Sequence, residues 1–336
     1  MNKRAFLEGF FAASTVLFGG NFMWRRLAGP LPTLATTSIA TPADPVPGNP
    51  EWRSGTPQGF SFTPIEVAES AGSQPLPAPA PVIQVQSGFD IKSLTDEEVS
   101  RYLTKIRNFD AIFASDIYLD ARYEQTLLKT TRHLARLETY IGHGNFNLIG
   151  FDEMLQYANN YPVVGRFEPD ELEFLEEMFF TDPSRYGFFG TKVSTSITDV
   201  LPRGDVIKIA RSGHYLLKGE SLNLYNRIRR DVGDQIVLTS GVRSIVKQMH
   251  LFLAKTVEAN GNLSRASRSL APPGHSYHGV GDFDVGKIGL GAQNFTAEFS
   301  RTQEYRKIAG LGYVDIRYPT DNLFGVRFEP WHIKLG

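Results

Sequence analysis

The sequence of 336 residues contains no cysteine. Disulfides, cysteine nucleophiles and cysteine-ligated zinc fingers are therefore excluded. Any metal site must take its ligands from histidine, aspartate or glutamate. Only seven histidines are present, so a histidine that stands beside carboxylates is informative.

The chain also lacks an excess of either charge, because its formal net charge is -1. This balance argues against a dedicated nucleic-acid binder, since neutralising phosphates needs a basic surface. Hydrophobic residues make up 41% and charged residues 21% of the chain, which is ordinary for a globular protein. The length suffices for one or two domains with a sizeable core.

Residues 1–28 have the order of an export signal, because Lys3 and Arg4 precede a mostly apolar run. The KR-A-FL start also resembles a twin-arginine signal with lysine in the first position. Glu8 and the glycines weaken the run as a permanent membrane span, which needs about 20 strongly apolar residues. We expect export to the periplasm or cell envelope, with the segment cleaved or kept as an inner-membrane anchor. The alternative is an amphipathic N-terminal helix of a cytosolic protein.

The next stretch, residues 29–85, is rich in proline, alanine and serine. Proline removes backbone donors, and few large apolar residues are present to form a core. We therefore predict a disordered tether between the export segment and the ordered part of the chain.

Residues 86–200 carry the patterns of a helical accessory region. Thr95 and Glu98 have capping-box spacing, and Pro169 stands where the first residue of a helix is expected. The motifs are of packing type and indicate no chemistry. We predict that His133 and His143 lie at the surface or at helix ends.

From residue 201 to residue 336 the sequence pattern changes to short β-rich runs bounded by glycine, aspartate and proline. These runs are VIKIA, QIVLTSG, GDFDVG, GYVDIRY and GVRFEPWHIKL, and one helical run, RSIVKQMHLFLAKTVEA, lies among them. Short strands with segregated helices predict an α+β fold with an antiparallel sheet.

Two short stretches of this region could build a hydrolytic metal site. The stretch SYHGVGDFDVG offers His278 and two aspartates, and the stretch RFEPWHIKLG places Glu329 three residues before His332. A zinc hydrolase needs three protein ligands, one open position and a carboxylate that handles the proton of water. These stretches can supply all the protein groups.

Three motifs in the same order resemble those of the zinc D-Ala-D-Ala carboxypeptidases and dipeptidases of the LAS peptidase group. They stand here as Ser240-Gly-Val-Arg243-Ser244 with Gln248, as Ser276-Tyr-His278-Gly-Val-Gly281 with Asp284, and as Glu329-Pro-Trp331-His332. The resemblance covers roughly residues 205–336. It implies a Zn²⁺ ion held by His278, Asp284 and His332.

The chain departs from the family at the aspartate. The family usually places this ligand seven residues after the first histidine, and Val285 stands there in this sequence. Asp282 and Asp284 are the two candidates, and strand alternation does not choose between them because both would face the same side. The Val-Gly pair after Asp284 resembles the pair after the family's aspartate, so Asp284 is favoured and Asp282 is the alternative.

The resemblance also implies roles for the remaining motif residues. Glu329 would be the general base for the attacking water and then the acid for the leaving amine. Arg243 would hold the scissile carbonyl and stabilise the oxyanion. Ser276 and Gln248 would orient substrate or neighbouring side chains, and Trp331 would form a pocket wall.

The implied function is a zinc metallopeptidase that hydrolyses D-alanine-containing bonds of peptidoglycan stem peptides as a carboxypeptidase. An endopeptidase that cuts cross-links is one alternative. A non-catalytic zinc-containing binding module of the cell envelope is another, and an anchored scaffold whose helical region carries the function is a third. The expected partners are peptidoglycan peptides and no nucleic acid.

Overall fold

The structure, a computed structural model, describes residues 94–335. The predicted export segment 1–28 and the predicted tether 29–85 lie outside the described residues. Within the described range, no helix combines the length and the apolar character that a membrane span requires.

The N-terminal half of the described chain is helical, as predicted. The Thr95–Glu98 capping box is present, because the backbone N–H of each residue donates to the side chain of the other. Pro169 is the first residue of its helix. The helices are α1 (Asp96–Arg107), α2 (Glu124–Ile141), α3 (His143–Phe146), α4 (Phe151–Asn160) and α5 (Pro169–Phe180).

The surface position predicted for His133 is wrong. This residue lies inside α2, and only 2% of its surface is exposed. Its Nδ1 atom is 3.1 Å from a carboxylate oxygen of Glu171 on α5, and its ring stacks on Phe167. A carboxylate 38 residues away satisfies the buried imidazole. His143 does begin a helix, α3, and its side chain is exposed.

The C-terminal half combines an antiparallel sheet with helices, which confirms the predicted α+β class. Strands β1 (Val206–Lys208) and β2 (Tyr215–Leu217) form a hairpin. The second sheet has the order β3-β4-β6-β5 with antiparallel neighbours. Its strands are β3 (Ile236–Ser240), β4 (Phe283–Lys287), β5 (Asp315–Ile316) and β6 (His332–Lys334), and the remaining helices are α6 (Glu220–Val232), α7 (Ile245–Glu258), α8 (Leu263–Ser269) and α9 (Gln303–Ala309).

Two large hydrophobic clusters stabilise these elements, beside a smaller one around Leu148, Val206 and Val242. One lies among the sheet, α6 and α9, and includes Val285 and Ile333. The other joins the helical half to α7, where Leu134 and Phe146 share a cluster with Phe252. Apolar contacts therefore cross the predicted boundary at residue 200, and the division into two domains stays a prediction.

Candidate metal centre

Three segments bring two histidines and one aspartate together at one end of the second sheet. His278 lies in the short 3₁₀ turn Tyr277–Gly279, Asp284 lies in β4, and His332 is the first residue of β6. Asp284 and His332 are register partners across the antiparallel β4–β6 pair. One ligand atom from each of the three residues lies within 4.8 Å of the others.

Hydrogen bonds on the far side of each imidazole fix which nitrogen faces this cluster. Nδ1 of His278 donates to the carbonyl of Gly241 at 2.8 Å, so Nε2 is the free atom and lies 3.4 Å from Oδ2 of Asp284. Nε2 of His332 is 3.1 Å from Oδ2 of Asp282, so Nδ1 faces the cluster, 3.5 Å from Oδ1 of Asp284. Metal-ligating histidines are oriented in this way by outer partners.

The electrostatics of the cluster favour a bound cation. Burial, assisted by Arg243, lowers the pKa of His278. Burial opposes ionisation of Asp284, but His278, His332 and Arg243 outweigh it and lower the pKa of that carboxyl. Metal ligands need these two forms, a neutral imidazole and an ionised carboxylate.

His332 differs, because the surrounding carboxylates favour its charged form. Burial opposes protonation, yet Asp282 and Glu329 outweigh it and raise the pKa of His332 to about 9. A proton on His332 therefore occupies the place that a metal ion would take, and metal uptake would release it.

The donor set fits zinc, which takes tetrahedral sites of histidine nitrogen and carboxylate oxygen. All three residues are at least 96% buried. Oδ1 of Asp284 is buried without a hydrogen-bond partner among residues 94–335. A bound cation would satisfy this oxygen, since an unpaired buried polar atom is costly.

Asp282 has a different set of contacts from Asp284. Arg317 donates to it through Nε at 2.7 Å and Nη2 at 2.8 Å, and the backbone N–H of Leu335 donates at 2.9 Å. Burial opposes its ionisation, but His332 and Arg317 outweigh burial and lower the pKa of Asp282 to about 2. Asp282 thus orients His332 from behind, and the structure brings Asp284 rather than Asp282 into the ligand cluster.

The two residues predicted to act in catalysis border the cluster. Oε2 of Glu329 is 3.2 Å from Nδ1 of His332, the nitrogen that faces Asp284. Nη2 of Arg243 is 3.8 Å from Oδ2 of Asp284. A carboxylate and a guanidinium therefore flank the same small volume.

Arg243 is held in place by two side chains of its own neighbourhood. Its Nη1 donates to Oε1 of Gln248 at 2.9 Å, and its Nη2 donates to Oγ of Ser240 at 3.0 Å. The amide nitrogen of Gln248 donates in turn to the carbonyl of Ala271. Gln248, predicted to contact substrate, has both ends of its amide engaged and orients Arg243.

The structure also places the other two predicted substrate residues. Ser276 is buried at the start of the turn that carries His278. Trp331 belongs to the hydrophobic cluster of the sheet and packs edge-on against Phe295. Contact of either residue with substrate stays a prediction.

Sequence reasoning missed the pair Arg317 and Tyr318, which follows β5 directly. Arg317 fixes Asp282, and the ring of Tyr318 stands edge-on to His332 with centroids 5.0 Å apart. Burial and the charge of Glu329 raise the pKa of Tyr318 well above its ordinary value, so it is a neutral phenol. The GYVDIRY run signalled a strand but gave no sign that its end reaches the site.

Comparison with known proteins gives a match over part of the chain. Residues 220–335 match the family model of VanY, described as D-alanyl-D-alanine carboxypeptidase. This match confirms the resemblance of the C-terminal region to that family. No curated protein matches the chain significantly.

Solved structures with partial similarity include the LD-carboxypeptidase LdcB, at 21% identity and a TM-score of 0.33, with 40% of this chain and 68% of that chain covered. A vancomycin-resistance D,D-pentapeptidase VanY mutant in complex with Zn(II) has 24% identity and a TM-score of 0.31, covering 38% and 76%. VanYB in complex with D-alanine-D-alanine has 25% identity and a TM-score of 0.30, covering 38% and 75%.

Proposed function

We propose that this chain is a zinc-dependent peptidase that hydrolyses D-alanine-containing bonds of peptidoglycan stem peptides and acts as a carboxypeptidase. One observation carries the proposal: the buried cluster of His278, Asp284 and His332 is flanked by the carboxylate of Glu329 and the guanidinium of Arg243. The family match over residues 220–335 supports the substrate class.

His278 through Nε2, Asp284 through its carboxylate and His332 through Nδ1 would hold the zinc ion. Three protein ligands leave the open position that distinguishes catalytic from structural zinc sites. Zinc, when bound, polarises a carbonyl and lowers the pKa of water. The side chains around it position the peptide and move the protons.

Glu329 is proposed to take the proton of the attacking water and to pass it to the leaving amine. The side chain of Glu329 is 11% exposed, and among residues 94–335 it is the acidic group beside the ligand nitrogen of His332 that is neither assigned as a ligand nor paired with Arg317. General acid–base groups of this kind contribute on the order of 10²–10⁴-fold in rate.

Arg243 is proposed to bind the oxygen of the scissile carbonyl as negative charge develops on it. Its guanidinium is pre-oriented by Gln248 and Ser240 and is largely shielded from water. A fixed donor in such a site stabilises the transition state without reorganisation.

The proposed substrate lies outside the cytoplasmic membrane, so the proposal includes export. Lys3 and Arg4 before an apolar run, followed by the Pro-rich stretch 29–85, support a location in the periplasm or cell envelope. In the same proposal, residues 1–28 are either cleaved on export or kept as an inner-membrane anchor.

The test uses the zinc-loaded chain, defined muropeptides and mass spectrometry. We expect the wild type to release D-alanine from a pentapeptide stem. Glu329→Gln should keep its zinc and lose about 10²–10⁴-fold in rate, because glutamine cannot take up the proton. Glu298→Gln is the control, because the Glu298 side chain is half-exposed and pairs with Arg301, and this variant should behave as the wild type.

Other outcomes separate the alternatives. Cleavage of a cross-linked dimer with no release of terminal D-alanine would make the chain an endopeptidase. A zinc-containing wild type that cleaves no muropeptide would favour the binding module. A wild-type rate in Glu329→Gln would remove Glu329 as the base.

A further inference from the structure

A buried carboxylate in the helical half lies outside the segment that matches the carboxypeptidase family. Glu138, near the end of α2, is 2% exposed. Its Oε1 accepts from Nζ of Lys247 at 2.6 Å and is 2.9 Å from Nδ1 of His143, and its Oε2 is 2.9 Å from Nδ1 of His250. This carboxylate is thus the shared partner of three basic side chains.

Two of these partners belong to α7, the helix that begins two residues after Arg243. Lys247 lies in the first turn of α7, and Gln248, the next residue, accepts the hydrogen bond of the Arg243 guanidinium. The same helical turn is therefore bound to Glu138 on one side and to Arg243 on the other.

The segment before α7 is bound to the helical half as well. The backbone N–H of Ser244 donates to the carbonyl of Asn147 at 2.8 Å, just after α3. The N–H of Arg243 donates to the carbonyl of His278 at 3.3 Å, and the carbonyl of Gly241 accepts from the ring of His278. The backbone of Arg243 is held between the metal cluster and the helical half.

The carboxylate of Glu138 offsets the charge of a largely buried lysine. Lys247 is 13% exposed in its side chain, and Arg243 is similarly buried at 11%. A buried cation is costly without a carboxylate partner; Asp284 borders Arg243, and Glu138 pairs with Lys247. Burial opposes ionisation of Glu138, but His250, Lys247 and His143 outweigh it and keep its pKa below the usual range.

We propose that Glu138 is a positioning residue for Arg243, acting through Lys247 and the first turn of α7. The helical half is then part of the catalytic apparatus of the proposed peptidase, on which this inference rests. An arginine displaced by a fraction of an ångström would still bind the peptide but would stabilise the developing charge poorly.

The chain contains a matched control for this residue. Glu171 is 1% exposed, lies 3.1 Å from Nδ1 of His133 and is 3.8 Å from Nζ of Lys129. It is a buried glutamate with histidine and lysine neighbours in the same helical half, and both neighbours lie on α2. Glu171→Gln therefore causes comparable structural damage while the side-chain contacts of Glu138 with Lys247, and of Gln248 with Arg243, stay in place.

The experiment compares Glu138→Gln and Glu171→Gln in the full chain. We expect both to lower the midpoint of urea unfolding, and only Glu138→Gln to lower kcat, by about tenfold or more with KM little changed. Zinc affinity should equal that of the wild type in both. Equal losses of kcat in the two variants, or no loss in Glu138→Gln, would overturn the proposal.

A second variant and a second readout keep the result decisive. If Glu138→Gln does not fold, the double variant Glu138→Gln/Lys247→Met leaves no unpaired lysine buried and should fold with kcat still reduced. Amide hydrogen exchange at residues 243–248 should be faster in Glu138→Gln than in Glu171→Gln. Hydrogen exchange can be measured on an enzyme that does not turn over. An inactive wild type would therefore refute the proposed function, and the exchange rates would still test the positioning role of Glu138. Unchanged exchange at residues 243–248 would overturn that positioning role.

Discussion

The two aspartates at the start of β4 should respond oppositely to replacement by alanine. Asp284→Ala removes an oxygen from the ligand cluster. Asp282→Ala removes the acceptor of Arg317, of the Leu335 backbone and of the outer nitrogen of His332. Asp284→Ala should therefore mainly weaken zinc binding, and Asp282→Ala should mainly destabilise the fold around the site.

For Asp282→Ala the larger effect is on stability. Arg317 keeps only 12% of its side chain exposed, and it loses both of the hydrogen bonds that it makes with Asp282. Breaking a buried ion pair from one side costs about 3–5 kcal/mol. Loss of an outer partner of a metal ligand typically costs about 10–100-fold in affinity, so zinc should bind more weakly but still bind.

For Asp284→Ala the larger effect is on zinc. A three-ligand site loses its only carboxylate ligand, and the affinity should fall by more than in Asp282→Ala. The metal-free fold should suffer less, because Oδ1 of Asp284 makes no hydrogen bond within the described chain and Arg243 keeps Gln248 and Ser240 as partners.

Two measurements on the same preparations test these opposite effects on zinc affinity and on stability. Competition with a chromophoric chelator gives the zinc affinity, and urea unfolding of the metal-free protein gives the free energy of unfolding. If Asp282→Ala abolishes zinc binding while Asp284→Ala retains it, the ligand is Asp282 and the assignment made from the structure is refuted. Equal effects of the two changes on both quantities would refute the division of roles.

Two further predictions concern the loop after β3 and the location of the chain. Gly241→Ala should destabilise the fold by about 1–3 kcal/mol in urea unfolding, because a Cβ there would lie 1.9 Å from the Tyr215 carbonyl oxygen that Val242 binds. Gly204→Ala, where the Cβ meets open space, is the control, and equal stability of the two variants would contradict the argument. A reporter of periplasmic folding fused after residue 85 should be active outside the cytoplasmic membrane, and activity confined to the cytosol would remove both the export and the peptidoglycan proposals.

Local patterns predicted the elements whose signals are complete within a few residues. The Thr95–Glu98 capping box and Pro169 located two helix starts, and the β-rich runs located β3 and β4. Strand β2 was missed because its sequence, Tyr-Leu-Leu, contains no β-branched residue. Strand β6 is shorter than its run predicted, since Glu329 and Trp331 precede it.

In the candidate site, too, residues with a local sequence signal were predicted and residues that depend on distant partners were not. The motifs placed His278, Glu329 and His332 together because each stands in a short characteristic stretch. The separate role of Asp282 depends on Arg317, 35 residues further on. The burial of His133 depends on Glu171, 38 residues away. Pairings at such distances arise from tertiary packing and leave no periodic trace in the sequence.

The packing of α7 bears on any attempt to isolate the segment that matches the carboxypeptidase family. A fragment starting near residue 201 would keep the ligands but lose the partners of the apolar side of α7, formed by Ile245, Val246, Met249, Phe252, Leu253 and Val257. Apolar patches of that kind drive aggregation when solvent reaches them. A fragment designed for solubility and crystallisation therefore has to begin ahead of α2 and retain the helical half.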